Sequence, residues 1–435
     1  MLPKGKTLFF LTFTACSTLA YALTPTARTQ AADFEISARD SFQSRVSLGA
    51  NKQDGHYLVT WSDLARDRMN DVNIYGRLVD ANGKPVSKDI GIATGAKGQA
   101  ISAVAYDQHK KRYLVTWSDW RNATTVESDI YGQFVNANGS LQGKNFVISE
   151  NRAASQKDVA VSYDPVRRQY LVAWKHGSSK GPELIRARYI TADGRAKGDE
   201  FQVAEGKGKQ DRPSLYFDPK RQRFLVLWRD TVDGHLEKTT AIRGKGIFSM
   251  FINPDKPHKA APGKLIDIED DACLPTSLYA AAYSPDADVF MVSWTTGRDY
   301  QKLGLDSWGA IISAETGEHM VKPFAIARAN DYQEFPTVTY DRHNKRFLAV
   351  WYDLRRDHGA RNADIYGRFV DASGKMSDEF VISDLNMKGA RRFPVVAYNA
   401  ARDSYLVFWQ DQRLKTPERP YAKIFGTVKA GSGVK

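Results

Sequence analysis

The sequence predicts an all-β protein, a seven-bladed β-propeller of four-stranded antiparallel blades. The first observation is a repeat, since seven tryptophans recur at spacings of 56, 57, 54, 66, 57 and 58 residues. They are Trp61, Trp117, Trp174, Trp228, Trp294, Trp351 and Trp409. A fixed period of this size means that one supersecondary unit is copied along the chain.

The second observation is the content of one unit, which is clearest around Trp351. In one-letter code it contains FPTVTYD, KRFLAVWYD, DIYGRFVDASG and FVIS. These segments are rich in Val, Ile, Tyr and Phe and are separated by turn-forming residues, so each predicts a short strand. Between the third and fourth strands, a tight hairpin needs positive φ, which glycine supplies. The glycines at this place are Gly83, Gly139, Gly194 and Gly374. Four antiparallel strands per repeat are typical of a propeller blade.

The third observation concerns the two ends of the repeat array. The last repeat stops without a Phe-x-Ile-Ser segment, whereas Asp33-Phe34-Glu35-Ile36-Ser37 carries that pattern before the first blade. Pairing this N-terminal strand with the last blade would close the ring and cover two sheet edges. We therefore expect a short leader over residues 23–32, the propeller over 33–429 and a tail over 430–435.

Residues 1–22 have the features of a signal peptide. Lys4 and Lys6 precede an apolar stretch over residues 8–19, and Ala20-Tyr21-Ala22 forms a small-x-small cleavage site. We expect a secreted or periplasmic protein cleaved near Ala22. Lipidation at Cys16 is the alternative, because the preceding residues loosely resemble a lipobox. No later apolar run approaches the roughly 18 residues that a membrane span needs, so no transmembrane segment is expected.

The net charge of +12 favours anionic partners. For an exported protein these are an acidic polysaccharide or another envelope polymer, and a partner protein is the other option. In a propeller, the loops from second to third strands and from fourth to first strands emerge on one face, here called the ligand face. Many arginines and lysines fall in these loops, which predicts a basic ligand face. The hairpins of the opposite face are basic too, so a generally basic surface is the alternative.

The most repeated polar motif is Trp-x-Asp-x-Arg. It occurs as Trp117-Ser-Asp119-Trp-Arg121, Trp351-Tyr-Asp353-Leu-Arg355 and Trp409-Gln-Asp411-Gln-Arg413. A catalytic site is a single asymmetric constellation, whereas a polar residue repeated at strand ends more often satisfies backbone groups or forms an ion pair that fixes a turn. We therefore interpret the motif as structural and look for function where the repeat departs from it.

Departures cluster in blades three to five. His176 and Thr296 replace the motif aspartate in blades three and five, and blade four has a longer ligand-face loop. These changes predict a groove on one side of the ring, with ordinary drift of the repeat as the alternative. The candidate catalytic residues are His176, Arg243 and Tyr300, and the candidate ligand-binding residues are Arg186, Arg188, His235, Lys245, Arg298 and Trp308.

Such a groove would suit an acidic polysaccharide. Arginine binds carboxylate or sulfate through a planar fork, and a His or Tyr beside a neutralised uronate could remove the proton next to its carboxylate. In architecture and residue type, the chain resembles polysaccharide lyases built on seven-bladed propellers, such as the ulvan lyases. That resemblance implies β-elimination on a uronate, although no complete His/Tyr/Arg set aligns.

The repeats themselves resemble the YxVxWxDxR and DIYGxxVDxxG units of many secreted or surface bacterial proteins. This resemblance covers residues 33–429 and implies a bacterial extracytoplasmic setting. The chain has no sialidase-type Ser-x-Asp-x-Gly-x-Thr-Trp box, no glycine-rich phosphate loop and no Cys/His metal spacing. We expect no metal and no cofactor. Two functions stay open, namely binding of an anionic polymer or a partner protein, and a polysaccharide lyase.

Overall fold

The computed structural model describes most of the chain between residues 33 and 431. The described ranges are 33–37, 39–51, 54–64, 72–123, 127–149, 154–177, 181–206, 209–231, 245–256, 258–269, 279–298, 302, 304–356, 362–386, 388–413 and 422–431. The predicted signal peptide, the leader and most of the tail lie outside them, so export stays a prediction. Among the described residues, no helix has the length and apolar character to cross a membrane.

The strands form seven antiparallel sheets of four, which confirms the predicted seven-bladed β-propeller. Blade one contains β2 (Phe42–Asn51), β3 (His56–Leu64), β4 (Val72–Val79) and β5 (Ile90–Ala93), and blade two contains β6 (Gln99–Asp107), β7 (Arg112–Asp119), β8 (Asp129–Asn136) and β9 (Leu141–Val147). Blade three contains β10 (Gln156–Asp164), β11 (Gln169–Gly177), β12 (Glu183–Thr191) and β13 (Ala196–Gln202), and blade four contains β14 (Asp211–Asp218), β15 (Arg223–Thr231), β16 (Lys245–Ile252) and β17 (Lys264–Glu269). Blade five contains β18 (Ala280–Ser284), β19 (Val289–Thr296), β20 (Asp306–Ser313) and β21 (His319–Ala327), and blade six contains β22 (Gln333–Asp341), β23 (Arg346–Asp353), β24 (Asp364–Asp371) and β25 (Phe380–Val381). Blade seven contains β26 (Arg391–Asn399), β27 (Ser404–Asp411), β28 (Lys423–Ala430) and β1 (Phe34–Glu35).

The ring closes as the sequence predicts. β1 pairs antiparallel with β28, with Phe34 opposite Gly426 and Glu35 opposite Phe425. The Phe34 ring packs edge-on against Phe408 of the same blade. The shared blade therefore joins the two ends of the array and covers the edge of β28.

The first strand of each blade lies innermost, and these seven strands line a central channel. The second strands carry the repeated tryptophans, which are among the largest fully buried side chains. Each apolar cluster draws residues from two neighbouring blades, as where Trp174 of blade three shares a cluster with Phe134 of blade two. The repeat therefore builds the core between blades, and this fixes the arrangement of the loops around the channel.

The hairpins between third and fourth strands have the predicted geometry. Gly83, Gly139, Gly194 and Gly374 have φ values of 75°, 86°, 82° and 83°. A side chain at these positions would be strained, because L residues rarely adopt this part of backbone space. These turns lie on the face opposite the ligand face.

Candidate ligand-binding site

The repeated Trp-x-Asp-x-Arg residues are structural, as the sequence predicts. The indole N–H of Trp61, Trp117, Trp351 and Trp409 donates to the aspartate two positions later, over 3.2, 2.7, 3.0 and 2.8 Å. In blades two, six and seven the motif arginine forms an ion pair with the same carboxylate. Arg121, for instance, donates to Asp119 from Nε at 2.9 Å and Nη2 at 2.6 Å. The aspartate of each motif therefore accepts the hydrogen bond of a buried indole N–H, and its ion pair with the arginine stabilises the ligand-face end of the second strand.

These ion pairs neutralise much of the charge that the sequence assigns to the ligand face. Arg355 contacts Asp353 and Glu379, and Arg413 contacts Asp411 and Asp33. A count of basic residues in the loops thus overstates the positive potential of this face. Cations that could meet a ligand have to be found elsewhere on it.

The inner strands form a cavity of about 470 Å³ at the ligand-face end of the channel, here called the channel mouth. In six blades one inner-strand residue of its wall has left-handed backbone, next to a break in strand register. These residues are Arg45, Ile101, Asp158, Arg212, Phe335 and Phe393, with φ between 53° and 58°. A β-bulge of this kind redirects side chains, and non-glycine residues at positive φ are found preferentially at functional sites.

A buried glutamine lies two positions before the bulge in five of the six blades. Gln43, Gln99, Gln156, Gln210 and Gln333 all occupy this position and are buried. The side-chain oxygens of Gln43 and Gln210 accept bonds from Ile424 N and Ile185 N in the third strand of the preceding blade, each over 3.0 Å. In these two blades the glutamine ties the start of the inner strand to the preceding blade, and the two residues after each glutamine differ from blade to blade.

Cations of the channel mouth lie on blades one and four. Arg45 is exposed and forms no ion pair with a described residue. Arg212 is partly buried, and burial together with the neighbouring Arg229 lowers its pKa. Asp211 bonds Arg229 over 2.8 and 2.5 Å and lies 4.0 Å from Arg212. An anion at the mouth would therefore relieve the unfavourable burial of Arg212.

Aromatic rings of the mouth lie on blades six and seven. Phe335 and Phe393 meet edge-to-face with centroids 4.7 Å apart, and Tyr352 stacks on Phe335 at 5.8 Å. The Tyr352 hydroxyl donates a hydrogen bond to the buried Glu334. Burial raises the pKa of Glu334, whereas Tyr352 and Arg392 oppose the rise. Phe335 and Tyr352 are buried, so the partly exposed Phe393 is the ring of this group that can meet an apolar ligand face. The same side holds an acid that gains protons more readily than usual.

Of the predicted groove, the structure brings His176 and Arg186 together. His176 Nδ1 lies 2.9 Å from the Gln156 amide nitrogen, while the Gln156 oxygen accepts the Trp174 indole N–H. Burial and then the Arg186 charge lower the pKa of His176. The lowered pKa favours the neutral ring, and the contacts with Gln156 suit either tautomer, because His176 Nδ1 lies within hydrogen-bond distance of both the amide nitrogen and, at 3.0 Å, the amide oxygen. Arg186 itself pairs with Glu200 at 3.2 Å.

The other described candidates have mainly internal contacts. Arg188 is buried and donates to the backbone oxygens of Gly198 and Ile148. Arg298 lies 4.1 Å over the Trp308 ring and pairs with Asp267 of blade four. Arg298 and Trp308 occupy the places that Arg355 and Tyr366 have in blade six, where the arginine stacks on the ring in the same way.

Three candidates, Arg243, His235 and Tyr300, lie outside the described residues. Lys245 begins β16 opposite Thr231, and its side chain lies outside the description. The predicted groove of blades three to five is thus only partly visible, and its role stays a prediction.

Sequence reasoning missed the channel mouth. Its signal is the pair of residues after each repeated glutamine, which is Ser-Arg, Ala-Ile, Lys-Asp, Asp-Arg and Glu-Phe in blades one, two, three, four and six. Seven inner strands converge on one axis, so positions that vary within a repeat meet there in space. Comparing the blades position by position around this glutamine would have found it.

Comparisons with known proteins agree with the fold. No family model matches the chain, and no curated protein matches it. A protein of unknown function from Dyadobacter fermentans is 11% identical with a TM-score of 0.52, covering 92% of this chain and 98% of that one. The α-L-arabinanase of Penicillium chrysogenum, solved with arabinobiose, is 10% identical with a TM-score of 0.50, covering 94% and 100%. The similarity is one of fold.

Proposed function

We propose that this propeller binds an acidic sugar polymer at the channel mouth. The observation that carries the proposal is the convergence of non-repeated residues on one cavity, with cations on blades one and four and aromatic rings on blades six and seven. Arginine pairs with carboxylate or sulfate groups through its fork, and aromatic rings offer flat apolar faces to sugar rings. The sugar-bound arabinanase of similar fold supports a carbohydrate ligand.

The polymeric nature of the ligand rests on charge. A net charge of +12 attracts a polyanion over long range, while only a few cations occupy the mouth itself. We infer that the mouth holds one or two acidic sugars and that the wider basic surface attracts the rest of the chain. Affinity should therefore fall as salt rises.

Replacing Arg212 with alanine should weaken binding of polygalacturonate at least about tenfold. A hydrogen bond to a charged group contributes about 1.5–3 kcal/mol, and Arg212 would make it where water is partly excluded. Calorimetric titration at low and moderate salt measures the change.

The matched control for Arg212→Ala is Arg195→Ala. Arg195 lies in an opposite-face hairpin with its side chain 80% exposed, and its loss changes the net charge equally. Equal weakening by both variants would assign binding to general charge and contradict a site at the mouth. A failure of the wild type to bind any acidic polysaccharide would contradict the proposed function itself.

Polysaccharide β-elimination remains the alternative prediction. Incubation with ulvan, pectin, alginate and glycosaminoglycans should then produce the ultraviolet absorbance of unsaturated uronate ends. Of the candidate catalytic residues, His176 is the one that the structure describes, and its lowered pKa favours the neutral ring that an abstracting base needs. Absence of unsaturated products across these substrates would contradict the lyase prediction for them.

A further inference from the structure

Blade five has lost the carboxylate that its neighbours keep at the end of the second strand. Trp294 is retained, but Thr296 stands where Asp63, Asp119, Asp353 and Asp411 accept the indole N–H. A threonine side chain ends one bond short of the aspartate oxygens. The indole nitrogen of Trp294 and the hydroxyl of Thr296 are both buried and have no hydrogen-bond partner in the part of the chain that the structure describes. The indole nitrogen of Trp228 in blade four also lacks a partner among the residues described there, although that blade retains Asp230.

The arginine that forms an ion pair with this carboxylate in other blades is still present in blade five, as Arg298. Arg355 and Arg413 each hold two carboxylates at once, one from the motif and one from an outer position. Arg298 holds only Asp267 among the described residues. The structure therefore keeps two of the donors for a motif carboxylate while the carboxylate itself is missing.

A second carboxyl group borders the same place. Asp306 lies opposite Thr296, at the position where Asp129 and Asp364 lie opposite the motif aspartates of blades two and six. The fold thus accommodates two carboxyl groups side by side. Asp306 is 1% exposed. Among the described residues, neither of its oxygens has a hydrogen-bond partner, and the nearest cation, Nε of Arg328, lies 3.7 Å away. Burial raises the pKa of Asp306 to about 7, so its acid form can donate a hydrogen bond near neutral pH.

We propose that blade five binds the carboxylate of an acidic sugar in the place of the missing aspartate, between the Trp294 indole, the Thr296 hydroxyl and the Arg298 guanidinium. Arg298 is the accessible member, with its side chain 34% exposed. Beside it lies the partly exposed ring of Trp308, which offers a flat surface to a sugar and favours a uronate over an acidic peptide. The site lies on the second and third strands of one blade, whereas the channel mouth is formed by the inner strands, so the two proposals fail independently.

The probe is D-galacturonate, with D-galactose as its neutral counterpart. In the ¹⁵N-labelled protein, galacturonate should shift the indole N–H signal of Trp294, which is assigned by its loss in Trp294→Phe. Galactose should leave it in place.

Thr296→Asp should abolish the shift, because the protein's own carboxylate then fills the site, whereas Thr296→Val should keep the site open. The matched control is Thr316→Asp, the same substitution in an exposed hairpin of blade five, which should respond like the wild type.

The pH dependence gives an independent readout. A group with a pKa of about 7 loses about nine tenths of its acid form between pH 6 and pH 8, so affinity for galacturonate should fall about tenfold over this range. Asp306→Asn should remove the fall. An unchanged Trp294 signal would overturn the proposal, because a buried water alone could then occupy the place. A shift that persists in Thr296→Asp would also overturn it. An equal shift with N-acetylglutamate would overturn the assignment to a sugar.

Discussion

Replacing Arg391 with alanine should lower the free energy of unfolding by about 3–5 kcal/mol, because it removes the cation of a buried charge cluster. Arg391 is fully buried, donates to Asp364 over 2.6 Å and to the backbone oxygen of Asp384 over 2.9 Å, and lies 3.5 Å from Asp411. Its loss removes the fully buried cation between two carboxylates of blades six and seven, which keep only Arg356 and Arg413 as ion-pair partners among the described residues. Urea unfolding followed by tryptophan fluorescence measures the change.

Arg356→Ala is the matched control, because Arg356 contacts the same Asp364 at 2.9 Å with its side chain 41% exposed. A solvent-exposed partner contributes about 0–1 kcal/mol. Similar losses for the two variants would show that burial does not decide the effect, and would contradict this account of Arg391.

Arg391 also shows why the ligand face could not be predicted from the positions of basic residues. By sequence it is one more cation of a fourth-to-first loop. In the structure it takes the place of the repeated glutamine and ties its inner strand to the third strand of the preceding blade, as Gln43 and Gln210 do. Whether an arginine meets solvent or a buried aspartate depends on contacts between blades, and these join residues tens of positions apart.

The fold, in contrast, was readable because its determinants are local and repeated. A strand pattern around each tryptophan and a glycine in each hairpin recur in blade after blade, so one well-defined unit identifies the others. The closing strand at Phe34 was predictable for the same reason, since it completes a pattern that the last repeat lacks.

To find the candidate sites, the blades have to be compared for the positions at which they differ, not for those at which they agree. Arg298 and Trp308 look like departures in sequence, yet they stack as their blade-six equivalents do. The consequential change in blade five is Thr296, which removes an acceptor and leaves its former partners in place. At the mouth, the bulge that brings Arg212 and Phe335 into one cavity follows a repeated glutamine, but the convergence of the residues after it depends on contacts around the ring.

Replacing Asp306 with asparagine should stabilise the protein above neutral pH. Burial raises the pKa of Asp306 to about 7, against about 3.9 for an unfolded chain. Between these values the folded state binds a proton that the unfolded state has released, so stability falls as pH rises from about 4 to 7 and then levels off. The full difference corresponds to about 4 kcal/mol. Asp306→Asn should therefore match the wild type near pH 4 and exceed it at pH 8 by up to this amount.

The informative control is Asp364→Asn, the same substitution at the equivalent position of blade six. Asp364 is also buried, but Arg391 and Arg356 bind it over 2.6 and 2.9 Å, so its loss should destabilise the protein by leaving Arg391 short of an anion. The two variants should thus change stability in opposite directions at pH 8, as urea unfolding would show. Destabilisation by both would mean that Asp306 is held in its charged form by Arg328. That result would also contradict the protonated Asp306 on which the pH dependence of galacturonate binding depends.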